Sequence, residues 1–203
     1  MTDRTAPTQH PIHPLLAARW SPRSYLDTPV TEAEMRSLLE AGRWAASCFN
    51  EQPWSFCVAR RSADPAGHAR LAGLLVPNNA GWAAKADMLM IGVARSDFLL
   101  TAAQAGKPNI FALYDLGQAM AQIGLQAASL GLAAHQMRGF DVERARTELG
   151  VPAGHEPVVA VAIGHVGPAD ALPEALAARE VAPRARQPME KIAFGASWGQ
   201  AVG

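Results

Sequence analysis

Two guanidinium groups and a hydroxyl alternate along a short stretch near the N-terminus. Pro22 prevents a helix from continuing through Arg19-Trp20-Ser21-Pro22-Arg23, because proline lacks a backbone N–H and clashes with the preceding turn. In an extended backbone, Arg19, Ser21 and Arg23 project to the same side, since side chains alternate along a strand. Such a set suits a phosphate together with a polar chain or a ring edge, although arginines near a helix end are more commonly surface residues.

Two further stretches place polar side chains at the same two-residue spacing. Asn50 and Gln52 lie on one side of an extended segment that leads into a strand-opening proline. Near the other end of the chain, Arg184 and Arg186 stand between two prolines. The chain has fifteen arginines and three lysines; codon bias in an alanine-rich chain is the simpler explanation of that excess. The positions of particular arginines are therefore more informative than their number.

Motifs for other chemistries are missing from the sequence. It contains no Gly-x-Gly-x-x-Gly after a strand and no Walker loop. The six histidines are scattered, and Cys48 and Cys57 fit neither a zinc motif nor a disulfide framework. Nothing local supplies a base for Cys48, so a packed or pocket-lining thiol is expected rather than a nucleophile. We therefore expect no metal site and no protein side chain acting as catalytic acid, base or nucleophile.

Composition limits the organisation and the partners of the chain. With 203 residues, 49% of them hydrophobic and 18% charged, it can bury one substantial core. Residues 1–10 are predicted to form a flexible tail, and residues 11–203 a single domain with an extended C-terminal arm from about residue 173. Eighteen basic residues balance eighteen acidic ones, so no global field attracts nucleic acid or an anionic membrane. The lack of a long apolar segment or export signal favours a cytoplasmic, reducing location.

The elements that must position these residues follow from periodicity, capping and breakers. Helices are predicted over 13–19, from a Thr31 capping box with Glu34, over 65–75, over 112–132 and after an Asp141 cap. Strands are predicted over 54–59, 88–94 and 157–164, and a break is predicted at Pro77-Asn78-Asn79. There are too few strand–helix alternations for a doubly wound sheet, so the order indicates an α+β fold.

The helix predicted over 112–132 is the most informative element. Its polar residues lie three or four apart in one narrow stripe, formed by Asp115, Gln118, Gln122, Gln126 and Ser129. The rest of its surface is apolar, which predicts an almost fully buried helix. A second stripe is made of small residues, namely Gly117, Ala121, Gly124, Ala128 and Gly131. That stripe arises by chance in an alanine-rich chain or marks a close helix–helix contact across a dimer axis.

In their order along the chain, these pieces resemble the nitroreductase family of flavoenzymes. The resemblance runs from about His13 to Pro188. The matching pieces are Arg19-x-Ser21-x-Arg23, Ser47-x-x-Asn50-x-Gln52-Pro53-Trp54, Asn79-x-x-Trp82, the long helix ending in Gly131-Leu132, Arg138-Gly139-Phe140-Asp141 and Arg184-x-Arg186-x-Pro188. The resemblance implies an α/β/α sandwich with a central mixed, mainly antiparallel sheet. It also implies an intertwined homodimer that binds FMN at its interface.

The resemblance implies a role for each matching residue. The expected FMN-binding residues are Arg19, Ser21, Arg23, Ser47, Cys48, Asn50, Gln52, Asn79, His135, Gln136, Met137, Arg138, Gly139, Arg184 and Arg186. The phosphate and ribityl chain would be held by Arg19, Ser21, Arg184 and Arg186. Arg23 would lie at the N1–O2 edge of the ring and Asn79 at the pyrimidine side, while residues 135–139 would border N5. The segment from Ser47 to Gln52 would come from the opposite subunit.

The chain also departs from the family pattern. Ala46 and Cys48 stand where many relatives have proline and serine, and Trp82 stands where several have lysine. Arg23 is then the only expected cation near N1. Trp82, Phe111 and Tyr114 are candidates for an acceptor pocket, because aromatic faces stack on planar ligands. Core packing is the alternative for each of these three side chains.

The implied function is a ping-pong oxidoreductase. NAD(P)H would give a hydride to FMN, and a planar acceptor such as a nitroaromatic or a quinone would then take the electrons. A flavin-binding carrier or redox sensor without turnover is the alternative, since it would make the same FMN contacts. A face of the flavin sealed by Trp82 or Arg138 would favour that carrier. A flavin-free interaction protein built on the small-residue helix is a third alternative.

Overall fold

The structure, a computed structural model, describes residues 4–203 of the chain. These residues form seven α-helices and four strands, in the order α1 (Pro14–Ala18), α2 (Glu32–Arg43), β1 (Trp54–Arg60), α3 (Pro65–Gly73), α4 (Pro77–Ala83), β2 (Met88–Arg95), α5 (Ala112–Ser129), β3 (Leu132–Met137), α6 (Val142–Glu148), β4 (His155–His165) and α7 (Glu174–Val181). The predicted α+β class is confirmed. None of the helices in residues 4–203 is long and apolar enough to cross a membrane.

The four strands form one sheet in the order β1-β2-β4-β3. All three strand pairs are antiparallel, where a mixed, mainly antiparallel sheet was expected. Along β2, Leu89 and Ile91 join one hydrophobic core, with side chains of α3, α4 and α6. Met88 and Met90 join a second core, with α2 and α5. Both faces of the sheet are therefore covered by helices, which explains the apolar runs of the central strands and gives the α/β/α sandwich.

Two predicted helix starts are confirmed by their capping geometry. The Thr31 hydroxyl accepts a hydrogen bond from Glu34 N–H (3.2 Å), and the Glu34 carboxylate accepts one from Thr31 N–H (2.7 Å). At the start of α6, the Asp141 carboxylate accepts a hydrogen bond from Arg144 N–H (3.0 Å). Such caps satisfy backbone donors that a helix leaves unpaired, so short-range sequence patterns can specify them.

The predicted break at Pro77-Asn78-Asn79 is wrong. Pro77 begins α4, since proline is tolerated in the first turn of a helix, where its missing N–H would have no intrahelical partner. The strand β3 was not predicted. It follows directly after Gly131, whose φ of 72° lets the chain reverse at the end of α5. Pairing with β4, a non-local contact, makes this short segment a strand.

The two chain ends also differ from the sequence expectation. The arm predicted to be extended from about residue 173 begins with α7 and lacks regular structure only after it, apart from a short 3-10 turn over Met189–Lys191. Residues 1–3 of the predicted tail lie outside the described residues, and residues 4–10 form no helix or strand. Ala6 N–H nevertheless donates to the Ala17 carbonyl (3.0 Å), which attaches the start of the chain to α1.

The helix α5 is less buried than its pattern predicted. Asp115, from the predicted polar stripe, is 1% exposed, whereas Leu113 and Tyr114 are 60% and 68% exposed. Gly117 and Ala121 lie on the exposed side as well. The helix packs against the sheet, α2 and α1, and part of its apolar surface is uncovered in the single chain.

An unusual backbone conformation precedes β1. Phe49, Asn50 and Gln52 have φ values of 54°, 57° and 49°, in the left-handed region that side chains with a Cβ disfavour. The Ser47 hydroxyl accepts a hydrogen bond from Gln52 N–H (2.9 Å), which closes the segment on itself. Strain of this kind persists only where surrounding contacts impose it.

A buried carboxylate supplies those contacts. Glu51 is fully buried, and its side chain accepts hydrogen bonds from the N–H groups of Leu99, Leu100 (2.7 Å) and Thr101 (3.0 Å) and from the guanidinium group of Arg95. Burial by itself raises the pKa of Glu51, but the hydrogen bonds from Leu100, Leu99 and Thr101 outweigh it and lower the pKa to about 2. Glu51 thereby fixes segment 47–53 against the loop that follows β2.

Glu51→Gln is expected to lower the free energy of unfolding at pH 7 by about 3 kcal/mol, because the largely buried Arg95 loses its closest charged partner and keeps only the more distant Asp97 carboxylate (3.8 Å). The folded-state pKa of Glu51 lies below the ordinary value of 4.5, so its contribution is complete above about pH 4.5 and lost as the pH falls towards 2. Urea unfolding at several pH values should show the difference between wild type and variant shrinking over that range. Glu143→Gln, on an exposed side chain, is the control; a pH-independent difference for Glu51→Gln would contradict the assignment.

Candidate functional site

A polar cavity of about 220 Å³ brings together residues from both ends of the chain. It is lined by Arg4, Arg19, Trp20, Ser21, Arg23, Arg179, Glu180, Arg184 and Arg186, and is called the arginine cavity below. This lining includes all four residues predicted to hold the phosphate and ribityl chain, namely Arg19, Ser21, Arg184 and Arg186. A larger, mainly apolar cavity of about 460 Å³ shares Arg19, Arg184 and Arg186 with it and extends along the two chain ends.

The charges of the arginine cavity repel one another. Burial lowers the pKa of Arg19, and the neighbouring charge of Arg186 lowers it further. Burial likewise lowers the pKa of Arg184, with additional contributions from Arg19, Arg186 and Arg4. Cations held this close in a partly buried cleft are stabilised when an anion enters between them. The electrostatics of the cavity therefore favour an anion over a cation.

The arginines of the cavity have different tasks. The guanidinium group of Arg184 donates to the carbonyl oxygens of Ala17 (2.8 Å) and Arg19 (2.9 Å), so it fixes the end of α1 and the backbone of Arg19. Arg19 contacts the Ser21 hydroxyl at 3.4 Å, and Arg186 donates to the adjacent Ala185 carbonyl (2.8 Å). Arg184 is thus largely occupied by the protein backbone, while Arg19, Ser21 and Arg186 are the side chains suited to contact an anion.

Arg23 connects the arginine cavity to a second group of predicted residues. Its guanidinium carbon lies 5.8 Å from the centre of the Trp82 ring, a cation–π distance. The Trp82 ring in turn packs against His135, with 4.6 Å between ring centres. Arg23, Trp82 and His135 therefore form one continuous group beside the cavity.

The ring of His135 is fixed in one tautomer. Its Nδ1 lies 2.8 Å from the Pro22 carbonyl oxygen, which can only accept, so Nδ1 carries the proton and Nε2 is an acceptor. Burial lowers the pKa of His135, and the positive charge of Arg23 adds to this effect, against the hydrogen bond to Pro22 that raises it. His135 is consequently neutral at pH 7.

The three predicted aromatic residues lie in different environments. Trp82 is 3% exposed and belongs to the hydrophobic core, so it offers no ring face to an acceptor; the core-packing alternative describes it. Phe111 and Tyr114 are exposed at the start of α5, and neither lines the arginine cavity. Tertiary packing on the sheet decides the position of Trp82, which no local pattern indicates.

Asn79 and Gly139 meet where α4 approaches the end of β3. The Asn79 side-chain amide donates to the Gly139 carbonyl (3.1 Å), which also accepts from Val76 N–H (3.1 Å). A Cβ atom at Gly139 would lie only 2.5 Å from the Asn79 Nδ2 atom, so any other residue here would have to displace the Asn79 side chain. Asn79 and Trp82 are three residues apart on α4, which places this contact next to the Arg23 group.

The other predicted residues of this region lie on β3 or directly after it. Met137 is buried in the core, so only its backbone is available to a ligand, whereas Gln136 and Arg138 are exposed. The strand lies at the edge of the sheet, where N–H and C=O groups on its outer side have no strand partner.

The segment from Ser47 to Gln52 is not brought to the arginine cavity. None of Ser47, Cys48, Asn50 and Gln52 is among the described residues that line it. The N–H group of Cys48 donates to the Asp115 carboxylate (3.1 Å) on α5. Burial raises the pKa of Asp115, and this hydrogen bond partly offsets the effect. One chain alone therefore presents the two sets of predicted residues at separate places.

Sequence reasoning missed several residues of the site. Arg4, Trp20, Arg179 and Glu180 line the arginine cavity without having been predicted. The segment holding Arg179 and Glu180 had been assigned to an extended arm, and a helical assignment would have placed both at its end. Within residues 4–203, no cluster of three or more His, Cys, Asp or Glu side chains could hold a metal ion.

Gly139→Ala is expected to lower the free energy of unfolding by about 1–3 kcal/mol, since the new Cβ must displace Asn79 and Val76. Gly81→Ala on α4 is the matched control, because nothing lies within 4 Å of its Cβ position. Alanine favours a helix by up to about 1 kcal/mol over glycine, so this control should be neutral or stabilising. Thermal or urea unfolding measures both; equal effects of the two substitutions would contradict the close approach at Gly139.

Comparison with known proteins identifies the fold and its relatives. The solved structure of an oxidoreductase containing FMN superimposes with a TM-score of 0.91 at 30% identity, covering 98% of this chain and 99% of that one. A nitroreductase family protein from Clostridium difficile 630 has a TM-score of 0.70 at 23% identity, over 90% of this chain and 96% of that one. That second similarity shows the fold alone.

Sequence comparisons extend these similarities. A protein of Mycolicibacterium smegmatis, described as an uncharacterized 15.4 kDa protein in the ask 5' region, is 43% identical over 109 residues, which are 52% of this chain and 74% of that protein. A putative NADH dehydrogenase/NAD(P)H nitroreductase of Streptomyces coelicolor is 28% identical over 160 residues, covering 71% of this chain and 80% of the relative. The sequence profile of the nitroreductase family matches residues 16–165. This match spans most of the chain, and the protein belongs to the nitroreductase family.

Proposed function

We propose that the protein is an FMN-dependent oxidoreductase that uses NAD(P)H to reduce a planar acceptor such as a nitroaromatic or a quinone, and that it works as a homodimer. The arginine cavity carries this proposal, because guanidinium groups from opposite ends of the chain share one cleft, and Arg23 connects that cleft through Trp82 to His135. Family membership and the FMN-containing relative support a flavin-dependent oxidoreductase. The electron donor and the acceptor are inferred from the family resemblance.

The cavity suits the phosphate group of FMN. A phosphate carries about two negative charges near neutral pH and three acceptor oxygens, which match guanidinium donors. Arg19, Ser21 and Arg186 would bind it directly, while Arg184 holds the backbone of Arg19 in place. Phosphate binding would also relieve the repulsion that lowers the pKa values of Arg19 and Arg184.

The neighbouring residues would orient the ring. When bound, the isoalloxazine of FMN supplies the redox chemistry, accepting and donating hydride. Arg23 provides a fixed positive charge for the N1–O2 edge, where negative charge accumulates on reduction, and its contact with Trp82 limits its mobility. Asn79 and the edge-strand backbone at 135–139 remain the proposed contacts of the pyrimidine side and of N5. The neutral His135 adds no second charge beside Arg23.

A second copy of the chain would complete the site. The segment from Ser47 to Gln52 lies outside the arginine cavity, so the partner's copy of it is the proposed source of those contacts. The exposed apolar side chains at the start of α5, including Phe111 and Tyr114, are available to the interface and to a planar acceptor. Glu51 fixes the backbone of segment 47–53 before the second copy binds, so less conformational entropy is lost on binding.

The carrier alternative differs in turnover rather than in FMN contacts. One of the two side chains that would seal the flavin, Trp82, is buried in the core, and the other, Arg138, is exposed.

Anaerobic mixing of flavin-loaded protein with NADH or NADPH should bleach the flavin absorbance, and a planar acceptor should restore it. A flavin that stays oxidised with both nucleotides would contradict the enzyme and leave the carrier.

Arg19→Ala is expected to weaken FMN binding about 10- to 100-fold, because hydrogen bonds to charged groups contribute about 1.5–3 kcal/mol each. Titration of apoprotein with FMN, followed by flavin fluorescence, measures the dissociation constant. Arg36→Ala is the matched control, since Arg36 is an exposed arginine on α2 that pairs with Glu32. Equal affinities of Arg19→Ala and Arg36→Ala would reject the arginine cavity as the phosphate site.

A further inference from the structure

Glu180 supplies a buried carboxylate to the arginine cavity. Glu180 is the one buried residue of α7, with 4% of its surface exposed. Its Oε1 atom accepts hydrogen bonds from the backbone N–H groups of Arg23 (2.7 Å) and Ser24 (3.2 Å). A buried charge is costly without such partners, so these contacts fix both Glu180 and the backbone at Arg23.

The second carboxylate oxygen of Glu180 lies in a different environment. Its Oε2 atom is buried and has no hydrogen-bond partner. The Arg23 Nη1 atom lies 3.8 Å away, which is close enough for electrostatic attraction and too far for a hydrogen bond. The carboxylate therefore attracts the Arg23 guanidinium without occupying its donors, and Arg23 stays beside Trp82.

Glu180 also differs in charge from the other ionisable residues of the cavity. Among the described residues that line the arginine cavity, six are arginines and Glu180 is the only acid. A negative charge at this place attracts the arginines and repels any anion that enters. Its removal should therefore strengthen anion binding.

We propose that Glu180 is a positioning residue with two opposed effects: it fixes the backbone at Arg23, and its charge limits both the anion affinity of the cavity and the reduction potential of bound FMN. The part that concerns FMN rests on the proposed function. Fixing Arg23 favours reduced flavin, because the cation stays at the edge that becomes negative. The carboxylate charge opposes this, since it destabilises the same negative charge at longer range.

Two substitutions separate these effects. Glu180→Gln keeps an oxygen that accepts the N–H groups of Arg23 and Ser24 and removes the charge. Inorganic phosphate should then bind about tenfold more tightly, as expected for losing one like charge across a cleft of intermediate dielectric. The FMN midpoint potential should rise above the wild-type value. Glu180→Ala removes both the charge and the acceptor, so phosphate should again bind more tightly, but the potential should stay below that of Glu180→Gln because Arg23 is no longer fixed.

The measurements are phosphate titration by calorimetry at low salt and anaerobic dye titration of the FMN potential. Glu174→Gln, on the exposed first turn of the same helix, is the matched control for the charge change and should match wild type in both. If Glu180→Gln or Glu180→Ala folds and binds phosphate no better than this control, the charge effect is wrong. Equal potentials for Glu180→Gln and Glu180→Ala would overturn the positioning of Arg23.

The two proposals fail in different ways. A wild-type protein that binds no FMN, while Glu180→Gln tightens phosphate binding, would reject the flavin site and retain Glu180 as the counter-charge of the arginine cavity. A protein that binds FMN normally, with phosphate affinity unaffected by either Glu180 substitution, would retain the proposed function and overturn this inference.

Discussion

Repulsion among closely spaced arginines is the constraint on which the site depends. Burial and the neighbouring charge of Arg186 lower the pKa values of both Arg19 and Arg184, so the fold must hold these guanidinium groups together against their charge. Backbone carbonyls do part of this, since Arg184 donates to Ala17 and Arg19. An anion entering between these groups would reduce their mutual repulsion, which is the physical basis of the proposed phosphate site.

The sheet makes such an arrangement possible by covering both of its faces. Helices pack on each side of the two central strands, and the resulting rigidity fixes the edges where ligands can approach. The edge strand β3 brings His135 to Trp82, and its end brings Gly139 to Asn79. A continuous chain of contacts therefore runs from the arginine cavity through Arg23 and Trp82 to His135 on β3. We propose that FMN binds along this chain of contacts.

Two buried glutamates show how a carboxylate can control positions around it. Glu51 has its oxygens satisfied by backbone N–H groups and Arg95, and it stabilises a strained segment that one chain alone leaves away from the cavity. Glu180 satisfies only one oxygen and leaves the other facing Arg23 at a distance. The first arrangement favours rigidity, because every acceptor is used. The second retains an electrostatic effect on its surroundings, because the charge is not fully compensated by hydrogen bonds.

The sequence by itself determined the features that depend on short-range chemistry. Capping at Thr31 and Asp141, the apolar runs of the central strands and the paired arginines could all be recognised, because neighbouring residues carry the relevant groups. The ordered motifs also identified the family. Tertiary structure decided the rest. β3 exists because β4 pairs with it, Trp82 is a core residue because the sheet covers it, and Glu180 enters the cavity because α7 returns the chain to Arg23. These outcomes rest on contacts between residues far apart in the chain, whose free energy no local pattern contains.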